Sequence, residues 1–520
     1  MDSLLHSHSI NLVVYAASLY VVVGAFYRLF YSPVSRYPGP RLAALTFWYE
    51  FYYDVVCKGR FSWKIQELHQ RYGPVVRINP HELHVADPAF YDSVYVGPGR
   101  RTEKWEYSAR MFGTSTAAVG TTGHDLHRIR RSALNPFFSK RAVMDIAPTI
   151  QGIANHGCDS LRRSGAAGRE LNLRDFFFAF SADVVGQVAF GSNSGLLDKE
   201  NFEPGWQKLM MIIPPGLVSL FHPPATRLFN IRNDIKLNIE RTRKTLDTKQ
   251  ADEKKGIHHS ILPRTALHTL LTSSLPAPEL QTPRLEDEAF TLLGAGTITT
   301  AHTLTTILYH VLANPTIKAR LESELSSLHS TCPPGTSRPS LADLENLPYL
   351  KAITLEGLRL SFGVSHRLAR ISPDTTLHYS GSFNGREHEY AIPPGVPVSM
   401  TPMFMHLNAN VFPNPHTFDP SRWVSPRSSS NEAGLEDEEL KRRKACLVPF
   451  SKGTRACAGM WLAYTELYVM LDALFGEKGV GRRMELFETG AEDVECVHDF
   501  FNPSPRLDSK GVRVVFRERV

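Results

Sequence analysis

The sequence predicts a mainly helical α+β protein: one helical body with small β-sheets, preceded by a single N-terminal transmembrane helix. Three observations predict it. Ser3 to Tyr27 carries no Asp, Glu, Lys or Arg. Several long apolar stretches have helix start and stop signals, the longest running from Glu286 to Ala313 and ending at Asn314-Pro315. The strand-like runs are short, as in Val75 to Ile78 and Leu83 to Val85 around Asn79-Pro80.

In chain order, residues 1–9 form a short lumenal N-terminus and residues 10–30 the membrane anchor. Leu12 to Tyr27 is almost wholly apolar, and Arg28, Arg36 and Arg41 follow it. Roughly 20 apolar residues span a bilayer, and basic residues stay on the cytoplasmic side. The competing reading is a cleaved signal peptide, but the apolar run is long and no basic segment precedes it. Residues 31–45, with Pro33, Pro38, Gly39 and Pro40, form a stiff linker. Residues 46–520 form the body. Its helices are Phe61 to Tyr72, stopped by Gly73; His124 to Leu134, a basic helix stopped before Asn135-Pro136; Arg174 to Phe190; Glu286 to Ala313; Leu341 to Leu360; and one from Met460 onward. Asp247 to Ser260, Ser330 to Ser340 and Ser425 to Lys444 are expected as loops, and no internal repeat is visible.

Composition bounds the function. The chain is 42% hydrophobic and 21% charged, enough for a large core. A net charge of +6 over 520 residues gives no reason to expect nucleic-acid binding. The six cysteines, Cys57, Cys158, Cys332, Cys446, Cys457 and Cys496, contain no CxxC pair, which disfavours a zinc ribbon or a redox dithiol. Their low number and the lack of an Asn-x-Ser/Thr sequon without a central proline fit a body facing the cytosol.

The strongest local signal is Phe450-Ser-Lys-Gly453-Thr-Arg455-Ala-Cys457-Ala-Gly459. A thiolate that binds haem iron must stay deprotonated and be tuned by backbone N–H groups. Gly453 and Gly459 let the backbone turn and approach a porphyrin. Arg455 can meet a haem propionate, Phe450 can shield the sulfur, and the helix from Met460 favours a thiolate at its N-terminus. The competing reading is a buried structural cysteine beside a glycine turn.

This segment resembles the haem-binding signature of the cytochrome P-450 superfamily, the haem-thiolate monooxygenases. Further motifs in the right order extend the resemblance over nearly the whole chain. It implies a P-450-like helical fold, haem b as cofactor, Cys457 as axial ligand of the iron, and 46–520 as the catalytic domain. A thiolate ligand favours O–O cleavage. The resemblance makes Glu356, Arg359 and Arg422, in Glu356-Gly-Leu-Arg359 and Phe418-Asp-Pro-Ser-Arg422-Trp423, a buried structural network. It gives His127 and Arg131, in His127-Arg-Ile-Arg-Arg131, to the propionates, and adds Arg367, with His366 as alternative. Arg128 and Arg130 are then surface charges.

Ala295-Gly296-Thr297-Ile298-Thr299-Thr300 resembles the family's oxygen-binding stretch, which makes Ala295, Gly296 and Thr299 catalytic candidates. Ala295 and Thr299 fall one turn apart on one face. Gly296 in mid-helix costs roughly 1 kcal/mol relative to Ala, so it needs a reason such as a kink or an open pocket. The competing reading is a Thr-rich helix whose hydroxyls bond back to its own carbonyls. The family's acid position holds Ile298, which departs from the usual proton relay.

By family topology the substrate pocket is lined by Arg100 to Gly123, Leu209 to Pro224, Phe290 to Thr300, Phe362 to His366 and Asn502 to Pro505. Met210 to Phe221 is either core or a lid that dips into the membrane. The resemblance, which includes fungal microsomal members, implies O2 and a small lipophilic substrate such as a terpenoid, polyketide or alkaloid. It also implies endoplasmic-reticulum residence as a single-pass protein with its catalytic domain in the cytosol. No reductase is fused, so electrons would come from NADPH through a separate diflavin reductase, met by Lys452, Arg128 and Arg130. Two alternatives stay open: a haem-thiolate isomerase or dehydratase acting without reductase, and a non-catalytic haem-binding protein.

Overall fold

In the computed structural model the described residues are 2–165, 168–203, 224–253, 265–332, 338–424 and 438–517. The expected lid at Met210–Phe221 lies outside them. Contacts divide the chain, including the stretch expected as one body, into two compact units. One comprises Met1–Trp105, Ser365–Met405 and His498–Phe501; the other comprises Glu106–Val364, His406–Val497 and Asn502–Val520.

The first unit begins with helix α1, Asp2–Phe26. Ser9–Tyr31 is long and apolar enough to cross a membrane, and none of it is buried by the fold. Helix α2, Phe61–Tyr72, buries Phe61, Ile65 and Leu68 against Val76 and Ile78, an i, i+4, i+7 stripe, and ends at Gly73 with φ 101°. Five short strands form a sheet: β1 Val75–Arg77, β2 Leu83–Val85, β3 Glu103–Lys104, β4 Arg370–Ile371 and β7 Pro397–Ser399, in the order β1-β2-β7-β4-β3. Only β2 and β7 pair in parallel. A separate hairpin joins β5, Leu377–Phe383, to β6, Arg386–Ile392, through Asn384-Gly385. Both turn residues have positive φ, 51° and 74°, as a two-residue hairpin turn requires.

Two histidines tie α2 to the sheet. His69 Nδ1 lies 2.8 Å from Gly73 O, His69 Nε2 lies 2.7 Å from His84 Nδ1, and His84 Nε2 lies 2.9 Å from Thr401 Oγ1. A carbonyl only accepts, so His69 donates to Gly73, His84 donates to His69, and Thr401 donates to His84. That chain needs two neutral rings. Burial pulls His69 down to about 4 and His84 well below its ordinary value.

The second unit holds helices α3 His124–Leu134, α4 Lys140–Gly165, α5 Leu173–Val185, α6 Thr282–Ala313, α7 Pro348–Ser361 and α8 Met460–Phe475. A three-stranded sheet of Leu171–Asn172, Arg513–Phe516 and Met484–Leu486 flanks them. The 32-residue α6 packs against α5, α7 and α8. It starts about a turn earlier than expected because Pro283 sits in its first turn, where no N–H is needed. Asn314 Oδ1 accepts from Thr316 N and Ile317 N and so caps the next helix, Pro315–Thr331.

Three expectations are corrected. Arg174–Phe190 is α-helix only to Val185 and continues as a π-helical turn, Gly186–Phe190. Leu341–Leu360 is two helices, Leu341–Glu345 and α7, broken before Pro348. The expected loops at 247–260 and 425–444 are helical in part: Pro224–Glu253 covers the start of the first and Glu438–Cys446 the end of the second. In the latter, Glu438–Lys441 and Glu439–Arg443 pair at i,i+3 and i,i+4.

Candidate functional site

The cysteine loop lies between Glu438–Cys446 and α8. Gly453 has φ 75°, the left-handed turn expected of it. Gly459 does not: its φ is −84°, and an added Cβ would meet nothing nearer than 4.0 Å. Its contribution is its N–H, which bonds the Cys457 sulfur. Cys457 N donates to Phe450 O at 2.9 Å, which closes the loop. The Phe450 ring lies 5.3 Å from that of Tyr464 on α8.

Cys457 forms no disulfide and is solvent-accessible. Protein nevertheless surrounds the sulfur closely enough that burial pushes its thiol up, opposed by the Gly459 N–H and the charge of Arg131. Two features lower the cost of a thiolate there, one N–H and one cation.

Arg455 is 8% exposed. Its Nη1 donates to Thr121 O at 2.7 Å, and its Nη2 donates to Thr122 O and Gly123 O at 2.6 and 3.2 Å. These three residues lead directly into α3, so the arginine fastens the cysteine loop to that helix. These three acceptors are backbone carbonyls, which orient the guanidinium. On α3, His127 is buried and Arg131 half-buried, with Arg131 Nε donating to Asn135 Oδ1 at 2.8 Å. An accessible sulfur, an N–H donor to it and cationic side chains on loop and helix fit a haem with two anionic propionates.

Arg130 is not the surface charge expected. It is buried, with Nε and Nη2 on Glu279 at 2.7 and 3.0 Å and Nη1 on Thr121 Oγ1 at 2.8 Å. Arg284 also reaches Glu279, at 3.1 Å, and pairs with Glu288 at 2.7 Å. These bonds join α3 to the start of α6.

The network around Glu356 is complete. Glu356 takes both Nε and Nη2 of Arg359, at 2.9 and 2.7 Å, and both residues are fully buried. It also accepts from Trp423 Nε1 at 2.8 Å and Asp419 N at 2.9 Å, with Arg422 Nε 3.4 Å away. Arg359 spends its remaining donors on His406 O, Pro415 O and Thr417 O. His406 was not singled out from sequence. Its Nδ1 donates to Arg359 O at 2.9 Å and its Nε2 accepts from Val448 N at 2.8 Å. It therefore links α7 to the segment that leads into the cysteine loop. Gly363 sits there too, with φ 71° and room for no side chain: an added Cβ would stand 2.3 Å from Pro449 O.

On α6, Ala295 is exposed although the helix is a core element, and Ile298 and Thr299 are half-buried. Thr299 Oγ1 donates to Ala295 O at 2.8 Å, and Thr303, Thr305 and Thr306 bond back in the same way. Gly296 faces elsewhere. A Cβ there would stand 2.6 Å from Val185 Cγ2. Its lack of a side chain permits the close approach of α5.

In the other unit, Arg367 is paired already. Its Nη2 donates to Glu50 Oε1 at 2.6 Å and its Nε to Glu82 at 3.1 Å. His366 lies 3.2 Å from Asp499. With two carboxylates on its guanidinium, Arg367 has no charge left for a propionate, and it is withdrawn from the haem set.

The family profile described as Cytochrome P450 matches residues 38–477. A tryptophan 6-hydroxylase of Fusarium equiseti is 39% identical over 515 residues, covering 95% of this chain and 94% of the relative. An N-acetyltryptophan 6-hydroxylase of Emericella nidulans is 39% identical, covering 96% of each chain. A cytochrome P450 monooxygenase of Cochliobolus heterostrophus is 38% identical, covering 94% of this chain and 93% of its own. The loop geometry, the buried Glu356–Arg359 pair and these matches lead to one conclusion: the chain belongs to the cytochrome P450 family of haem-dependent monooxygenases.

Proposed function

We propose that Cys457 is the axial ligand of haem b and that the enzyme inserts one oxygen atom from O2 into a small lipophilic substrate of secondary metabolism. The observation that carries the ligand assignment is the Cys457 sulfur, accessible yet supplied with the Gly459 N–H and the Arg131 charge. Arg455, Arg131 and His127 would hold the propionates. Bound haem would supply the reductive activation of dioxygen, which no side chain provides. Thr299 would hold a water beside Ala295. Its proton is given to Ala295 O, so it meets that water as an acceptor. Ile298 has neither donor nor acceptor and shapes the pocket wall instead. Two relatives are named for hydroxylating tryptophan or its N-acetyl derivative, which makes an indole ring the first substrate to test.

Electrons would come from NADPH through a separate diflavin reductase, with exposed Arg128 and half-buried Lys452 as basic contacts. The membrane assignment is supported by Ser9–Tyr31 and by a second feature. Trp48, Phe51, Tyr52, Val55 and Val56 are 70, 44, 52, 56 and 59% exposed. Their spacing is i, i+3, i+4, i+7, i+8 on consecutive helical turns, an apolar stripe turned outward, as in helices that lie in a bilayer interface. This fits a single-pass protein of the endoplasmic reticulum with its body in the cytosol.

Product analysis with 18O2, NADPH and reductase tests the proposal: one labelled oxygen in the product supports it. The second reading, an isomerase or dehydratase, is favoured by Ile298. Turnover that continues without NADPH, with no label gained, would establish it.

A further inference from the structure

The stretch of α6 at residues 295–299 is one end of a longer accessible face. Asp287, Thr291, Gly294, Ala295, Ile298 and Thr299 are all exposed or half-buried, whereas Ala289, Leu293 and Thr297 are buried. Steps of four, three and one put the accessible residues on one side of the helix. At about 1.5 Å of rise per residue, Asp287 lies about 12 Å along the axis from Ala295. That far end carries an ion pair which the chemistry at Cys457 does not use.

Three elements build that pair. Arg232, on the helix Pro224–Glu253, donates from Nη1 to Asp287 Oδ1 at 3.3 Å. Its guanidinium lies over the Phe290 ring, 4.9 Å from the ring centre, which restrains it. Asp287 Oδ2 accepts from Thr116 Oγ1 at 2.6 Å and from Thr116 N at 3.3 Å. Thr114, on the same loop, accepts from Thr291 Oγ1 at 2.9 Å. The acid is thus locked to the loop, while the arginine keeps donors in reserve. Among the described residues its Nε and Nη2 have no partner, and its side chain is 39% exposed. An open guanidinium edge takes a carboxylate as a two-bond fork. Each carboxylate oxygen has two lone pairs, so Asp287 Oδ1 can accept a further N–H beside Arg232.

We propose that Arg232 and Asp287 hold the head group of the substrate, an aromatic α-amino acid or its N-acyl derivative. Arg232 takes the carboxylate and Asp287 the adjacent N–H. The aromatic ring then lies along the accessible face of α6, with its reacting edge toward Ala295. The two charges of the pair match the two of a zwitterion, so binding adds no net charge. The proposal rests on the oxygenase reading above, with its indole ring, and adds the head group that positions the ring.

The test is calorimetric binding to the full-length, haem-loaded protein with ligands that share one ring. They are L-tryptophan, indole-3-propionate without the amine, tryptamine without the carboxylate, and 3-methylindole without either. Wild type should bind tryptophan roughly tenfold or more tighter than tryptamine or 3-methylindole, the scale of hydrogen bonds to charged groups. R232Q should lose that preference and bind 3-methylindole as before. R232K keeps the charge but cannot fork, and should recover only part of the preference. D287N should weaken tryptophan more than indole-3-propionate. Equal affinity of wild type for tryptophan and 3-methylindole overturns the proposal, and that comparison needs no variant to fold. Retention of the full preference in R232Q, with its haem spectrum intact, overturns it as well. A preference that R232Q abolishes, without 18O entering tryptophan, supports the head-group site and removes the oxygenase reading, so the two fail separately.

Discussion

Burial pushes the acidity of both Cys457 and Glu466 in the same direction, but the two residues meet it differently. Cys457 has the Gly459 N–H and Arg131 to oppose the push. Glu466 is 1% exposed, its carboxyl is raised well above the ordinary range by burial, and only Ser181 opposes that. Burial therefore favours its neutral form. A carboxyl with a raised folded value stabilises fully below its unfolded value of about 4.5 and loses that contribution as pH rises. E466Q removes the ionisation and keeps the shape. Thermal unfolding of E466Q should match wild type near pH 5 and exceed it at pH 8; a variant less stable at both would contradict a neutral acid. Thr299→Ala should keep the haem spectrum and divert NADPH electrons to peroxide, measured as peroxide per NADPH with the native substrate. An unchanged ratio would remove Thr299 from the relay. The Cys457 loop stood out in the sequence because its motif is contiguous. The role of Gly459 did not, since the N–H it contributes is one that every residue but proline carries.

Among the elements, α5 and α6 show why residue type alone misleads. Gly296 sits in a motif that suggests an oxygen pocket, yet its neighbour is Val185, more than a hundred positions earlier. No local pattern encodes that contact. G296A should therefore destabilise through overpacking, by about 1–3 kcal/mol, and V185A in the same chain should recover part of the loss. Denaturant unfolding of the single and double variants checks this; additive losses would mean the helices do not touch there. The Glu356–Arg359–Arg422 network, by contrast, was readable from spacing and order. What the sequence did not reveal was His406, which joins Arg359 O to Val448 N. R359K should fail to restore what R359A loses, because an ammonium cannot fork onto Glu356 while also reaching three carbonyls. Haem content of the two purified variants is the measurement.

For the whole molecule, the helical class, the N-terminal apolar helix and the small sheets were predictable from apolar periodicity and stop signals. The assignment of Arg367 and Arg130 was not, because their partners Glu50, Glu82 and Glu279 lie far away in sequence. Deleting the residues before Pro33 should weaken membrane attachment while haem still binds, and the outward stripe at Trp48–Val56 should leave a residual attachment that W48S/F51S removes. Loss of all attachment on truncation alone would contradict the stripe's role. The His69–His84 chain predicts acid sensitivity. A histidine with a depressed folded value stabilises above its unfolded value of about 6.5 and loses that contribution as pH falls toward about 4. Stability should hold above pH 6.5 and decline below it, with a shallower decline in H69Q. The proposed chemistry depends above all on the sulfur of Cys457, and the reduced, carbon-monoxide difference spectrum of the haem-loaded protein tests that directly. Wild type and C446A should both show the thiolate-type band and C457A should lack it; persistence of that band in C457A would contradict the assignment of the ligand.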